Sequence, residues 1–232
     1  MKKTKLLMLL LAILSCSVSD LKNSAPIFHI QSAIPDAAYL KFQDHAESRL
    51  PLYKRHFKKY SDKYSIPWTL IAAVAYQESK WDDDAVSHTG VRGLMQLTSK
   101  TAAYVGIEDR TDPFESIRGG AYYLRYLYDK TSQKINEQER WALALAAYNI
   151  GWGHLRDAHH LALKLKKNPY RWSELKKVLP LLEEKKYFSQ LNHGFARGNE
   201  TVDFVNKVFN YYNLLNTTFR VQSEIALFKY SQ

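Results

Sequence analysis

Cysteine is almost missing from this sequence: Cys16 is the single one in 232 residues. Without a second thiol no intramolecular disulfide can form, which excludes the small disulfide-stapled folds and any cysteine-based metal site. Long apolar runs are scarce as well, and the one at the start, "MKKTKLLMLLLAILS", is too short to be a bilayer span. No segment alternates apolar and polar residues long enough to argue for a sheet. Glycine-rich phosphate loops, internal repeats and low-complexity tracts are absent too. Acids are outnumbered, with 23 Asp plus Glu against 33 Lys plus Arg and a net charge of +10. Such a balance suits an anionic partner (nucleic acid, a lipid surface or an acidic cell-wall polymer), and equally a solvated basic surface. Nucleic acid is not expected, because no recognition motif accompanies the charge and the leader points to export.

That leader, residues 1–15, joins three lysines to a short apolar run and has the form of a signal peptide. Cys16 follows directly in "AILSC", which resembles a bacterial lipobox, with an aliphatic residue three positions before the cysteine and a small one just before it. The resemblance implies cleavage at Cys16, a lipid anchor there, and a protein on the periplasmic side of the envelope. Ser17 after the cysteine fits sorting to the outer membrane. Loss of Lys2, Lys3 and Lys5 with the leader leaves the chain basic.

Residues 16–46 hold Pro26 and Pro35 and no sustained period, so they read as a tether. Residues 47–232 read as one all-α domain. Pro51 suits a first helical position, and Pro67 opens "WTLIAAVAYQES". Asp112, Pro113 and Glu115 give a cap, a first-turn proline and an N3 acid, and Asn136 with Glu139 repeats the signal. Asn199 is expected to cap a last helix from about Glu200, with Val202, Val205, Val208 and Phe209 on one face. His159 and His160 are adjacent, not spaced to meet on a metal, and read as surface or packing residues.

Within "VAYQESKW" an ionisable residue falls on the apolar stripe: Glu78 shares a helix face with Val74 and Ile71. The turn formers of "SKWDDDAVSHTG" place it near the helix end. Partial negative charge at a helix C-terminus and burial among apolar neighbours both favour the protonated form. A protonated carboxylic acid in a dry cleft is the proton donor that cleavage of a glycosidic bond requires. Periodicity alone leaves open a different Glu78, at the edge of the stripe and paired with Lys80 or Arg92.

The wider context is more specific. "ES" at Glu78 and Ser79, "GLMQ" at Gly93 to Gln96 and "AAYN" at Ala146 to Asn149 occur in the order and spacing of the lytic transglycosylases of glycoside hydrolase family 23, which this chain therefore resembles. "ARGNETVDFVNKV" is similar to a further segment of that family. "DRTDPFESIRGG" and "KKYFSQLNHGFARG" resemble its membrane-bound murein type F, whose members carry a substrate-binding-protein-like domain ahead of the catalytic one. Roughly thirty residues separate Cys16 from the helical body, so that domain is not expected here.

The resemblance implies a lysozyme-like fold of the goose-type kind with a saccharide groove, peptidoglycan glycan strands as partner, and neither metal nor organic cofactor. It also implies roles. Glu78 matches the single catalytic acid and later base; Ser87 matches a serine near the sugar N-acetyl group; Gln96 and the backbone around Met95 match groove contacts. Tyr148 matches a tyrosine that orients the glutamate or substrate, and Asn149 completes its motif. Tyr187 is a candidate second groove tyrosine, and Trp81, Tyr104, Tyr148 and Trp152 are candidates for stacking on sugars. Arg197 is expected to pair with Glu200 or with a peptide-stem carboxylate. Asp82, Asp83 and Asp84 read as turn residues and not as a second catalytic group. The rival readings are a goose-type muramidase that hydrolyses the same bond, and a non-catalytic wall-binding lipoprotein.

Overall fold

The computed structural model describes residues 35–230, with side chains described through Arg220. The expected signal peptide and the Cys16 anchor lie outside the described residues. Helices α1 (Asp36–Ser48), α2 (Leu50–Tyr64) and α3 (Trp68–Ser79) are followed by a long loop and α4 (Ser99–Tyr104). Then come α5 (Pro113–Lys130), α6 (Glu137–Ile150), α7 (Trp152–Lys164), α8 (Trp172–Leu175), a 3-10 turn (Leu179–Glu183), α9 (Lys185–Phe188) and the long α10 (Gly198–Tyr230). No strand occurs among the described residues, where an isolated bridge pairs Val86 with Arg92.

The capping signals in the sequence act as their chemistry requires. Asp112 accepts from the backbone N–H groups of Phe114 and Glu115, satisfying two orphan donors at the start of α5, and Asn136 accepts from Glu139 N–H at the start of α6. At α10 the expectation fails: the helix starts at Gly198, and Asn199 donates through its backbone N–H and its side-chain amide to Glu183, at 2.8 and 3.0 Å. The longer-range carboxylate takes the side chain that local sequence assigned to capping.

At the centre lies α3. From Thr69 to Tyr76 every residue is buried, so the face read from periodicity is one side of a helix enclosed all round. It packs against α10, α2 and α5, while α6 packs against α5, α7 and α10. Near its C-terminal end α3 emerges from the core at Gln77 and Glu78, and both residues line the cleft.

The tether expected to run to residue 46 ends earlier, because α1 belongs to the body. Phe42 is 2% exposed, stacked on Tyr211 at 5.2 Å and edge-on to Tyr76 at 4.9 Å, and His45 Nδ1 lies 3.3 Å from the Tyr76 hydroxyl. These rings pack around Tyr76 near the C-terminal end of α3 and against Tyr211 of α10, and both Phe42 and Tyr76 also meet Trp81 of the loop that follows.

Candidate active site

The loop from Lys80 to Thr98 forms one wall of the site. It is closed at Ser87, whose backbone N–H donates to Val91 O at 2.9 Å and whose hydroxyl accepts from Val91 N–H at 3.0 Å. Further on, Met95 N–H donates to the buried Ser116 hydroxyl at 3.0 Å, fastening the loop to the first turn of α5. The Gln96 amide nitrogen donates to Gly93 O and Ala85 O, at 2.9 and 3.1 Å, which leaves its Oε1 buried without a partner. Gln77 Oε1 is orphaned in the same way. Both glutamines line the same cleft.

That cleft, of about 410 Å³, brings Glu78, Ser87, Gln96, Tyr148 and Asn149 together. Across from the loop, Tyr148 on α6 donates its hydroxyl to Met95 O at 2.9 Å. Met95, expected as a groove contact, is fully buried and does not line the cleft; its carbonyl acts on the site only by anchoring the Tyr148 hydroxyl. Asn149 Oδ1 accepts from the buried Thr201 hydroxyl at 2.7 Å, tying α6 to α10 where both reach the cleft.

Glu78 is half-buried and accepts no hydrogen bond among the described residues. Burial pushes its carboxyl up to about 8; Lys80 opposes the rise and Glu200 adds to it. The group is thus a protonated acid at neutral pH. Tyr148 is raised well above the ordinary phenol range, by burial first and then by Glu78 and Tyr123, and stays a neutral donor. Since its proton is committed to Met95 O, its oxygen lone pairs remain for a donor in the cleft.

Other residues expected at the site are elsewhere. Tyr187 on α9 is half-buried against the core and does not line the cleft. Trp81 is 1% exposed and donates its indole N–H to Ala72 O at 2.8 Å, so it is a core residue and not a sugar platform. Trp152 packs against the core under Lys130, and the exposed Tyr104 lies tilted against Tyr126 at 5.2 Å; neither reaches the cleft. Asp82 pairs with Arg49 at 3.3 Å, and Asp83 and Asp84 face a separate hollow with Arg92 and Thr111. His159 is packed against Tyr170 and His160 is exposed.

Several cleft residues were not singled out by sequence. Tyr123, mid-way along α5, sits 5.6 Å from Tyr148 ring to ring, and periodicity could not separate it from its packing neighbours. Arg197 pairs with Glu200 at 3.6 Å, as expected, and also reaches His88 Nε2 at 3.1 Å across the cleft mouth. Asp203 is bound to Lys207 at 2.7 Å. Three carboxylates and one arginine among the lining residues leave the cleft itself acidic when ionised, so the basic excess of the chain lies outside it.

Comparison with known proteins gives the family and the fold. Residues 55–170 match the family model described as "Transglycosylase SLT domain". The chain is 47% identical over 183 residues to a protein named membrane-bound lytic murein transglycosylase F from Pseudomonas fluorescens, an alignment covering 79% of this chain and 38% of that one. A protein of the same name from Marinobacter nauticus is 47% identical over 174 residues, covering 75% of this chain and 35% of its own length. The chain therefore spans well under half the length of these relatives. Among solved structures, the soluble lytic transglycosylase SLT70 from Escherichia coli superimposes with a TM-score of 0.54 at 27% identity, over 75% of this chain and 26% of that one. An inactive mutant of lytic transglycosylase Slt from Pseudomonas aeruginosa gives 0.53 at 22% identity, over 72% and 24%, and supports the fold.

Proposed function

Because the chain belongs to the transglycosylase SLT family, we propose that it is a peptidoglycan lytic transglycosylase with Glu78 as its acid and base. It cleaves the β-1,4 bond between N-acetylmuramic acid and N-acetylglucosamine. The observation that carries this reading is a half-buried Glu78 that faces the cleft, is pushed up to about 8 by burial, and among the described residues is the one lining carboxyl outside an ion pair.

Glu78 gives its proton to the glycosidic oxygen as the bond to the anomeric carbon breaks, with the sugar's own N-acetyl carbonyl assisting departure. Now ionised, it takes the proton of the C6 hydroxyl, and that oxygen closes on the anomeric carbon to give the 1,6-anhydro end. The proton returns to Glu78 and no water is consumed. Ser87 and Gln96 hold the sugar, Tyr148, anchored on the Met95 carbonyl, orients the acid, and Asn149 fixes the wall behind it. Hydrolysis of the goose-type kind needs a second carboxylate to position water, and the candidates beside Glu78 are engaged: Glu200 by Arg197 and Asp203 by Lys207.

The acid step sets the pH dependence. Muropeptide release should be full while Glu78 holds its proton and should fall as pH rises through about 8. A rate-against-pH series on purified peptidoglycan checks this, and a loss centred near the ordinary carboxylate range would remove Glu78 from the acid role. Among the described residues no helix is long and apolar enough to cross a membrane. Attachment to the outer membrane through a lipid on Cys16 is part of this reading, supported by "AILSC". Fatty-acid labelling of the chain in cells, lost in Cys16→Ser, is the expected result.

A further inference from the structure

Lys80 ends the helix that carries Glu78, and its ammonium turns back onto that helix. Nζ donates to Tyr76 O at 2.9 Å and Gln77 O at 3.1 Å, both carbonyls of the last turn of α3, while the Lys80 backbone N–H donates to Tyr76 O at 2.8 Å. The residue adopts a left-handed conformation, φ 58°, which stops the helix. Its ammonium lies 4.9 and 5.6 Å from the ring centres of Tyr76 and Tyr211, and Arg49 Nη1 holds the Lys80 carbonyl at 3.1 Å. Among the described residues no carboxylate forms an ion pair with it. A half-buried ammonium of this kind is costly, and here the compensation is two carbonyls, two ring faces and the negative end of α3.

We propose that Lys80 is a positioning residue for the catalytic acid: by binding the last carbonyls of α3 it offsets the helix's negative end and stabilises the carboxylate that Glu78 becomes when its proton leaves. The inference rests on the reading of Glu78 as acid and base. Such a group must release a proton in one half of the cycle and recover one in the next, so burial without a counterweight would leave it too weak an acid. The charged groups that bear on the pair are Glu200 on Glu78, and Lys207 and Asp203 of α10 and Lys41 of α1 on Lys80. Burial lowers Lys80 to about 8 and raises Glu78 to about 8, and each charge opposes part of the other's shift.

The test compares the full chain with Lys80→Met and Lys80→Arg on soluble, uncrosslinked glycan strands across pH, with thermal unfolding recorded for each. Lys80→Met should lower kcat by about tenfold with KM little changed, and should move the alkaline limb to higher pH, because removal of the cation makes Glu78 hold its proton longer. Lys80→Arg keeps the charge and should hold the limb near its original position. A folded Lys80→Met with the wild-type rate and limb overturns the inference, and so does a slower variant whose limb does not move, since that is a purely structural effect. If the wild type itself yields no anhydro ends, the parent reading fails instead.

Discussion

Replacing Glu78 by Gln should lower anhydro-muropeptide release by about a thousandfold or more, since general acid catalysis is worth about 10²–10⁴ and this residue serves both proton transfers. The amide keeps the shape and cannot give up a proton to a leaving oxygen. The same variant should be more stable than the wild type at neutral pH. Folding raises the Glu78 pKa from 4.5 to about 8, so the unfolded chain releases this proton first. The stability associated with the group is complete below 4.5 and is lost as pH rises towards about 8. Gln carries no such penalty, so the two chains should unfold alike at acid pH and diverge above it. Denaturant unfolding at two pH values, beside the activity assay, reads both effects. An inactive variant that is less stable at neutral pH would point to misfolding and not to a missing proton.

The second large effect is expected from Gly93→Ala. Gly93 has φ +94°, and a Cβ placed on it would stand 2.0 Å from the Arg110 carbonyl oxygen, a backbone atom that cannot move away alone. Its own carbonyl accepts from both the backbone and the side chain of Gln96, and the following residues deliver the Met95 carbonyl to Tyr148. The substitution should cost about 3 kcal/mol or more and displace the cleft wall, so that thermal stability and activity fall together. A variant with unchanged stability would mean that the close approach of this loop to Arg110 does not exist in solution.

How much of this was legible in the sequence differs from element to element. The starts of α5 and α6 could be read because Asp112 and Asn136 act on backbone groups two or three residues away, and no distant partner competes. Asn199 could not, since Glu183 claims it from another part of the chain. Helix α1 was hidden by the thinness of its buried face, which consists of Phe42 and His45, and by a start at Pro35 with no side-chain cap. Trp81 looked like a sugar platform because aromatic type and position suggested one. The consecutive left-handed residues Lys80 and Trp81, φ 58° and 54°, fold it back into the core, and nothing in two non-glycine residues announces that. The motif residues of the cleft were found through their spacing in a known family, and the role of their neighbours Tyr123, Glu200 and Asp203 emerged only when the helices were brought together.

The most direct test of the central claim is digestion of purified peptidoglycan by the full chain in water enriched in heavy oxygen, with mass spectrometry of the released muropeptides. A reaction in which the C6 hydroxyl closes on the anomeric carbon predicts 1,6-anhydro ends and no heavy oxygen in the product. Reducing ends carrying the label would contradict it and make the chain a hydrolase.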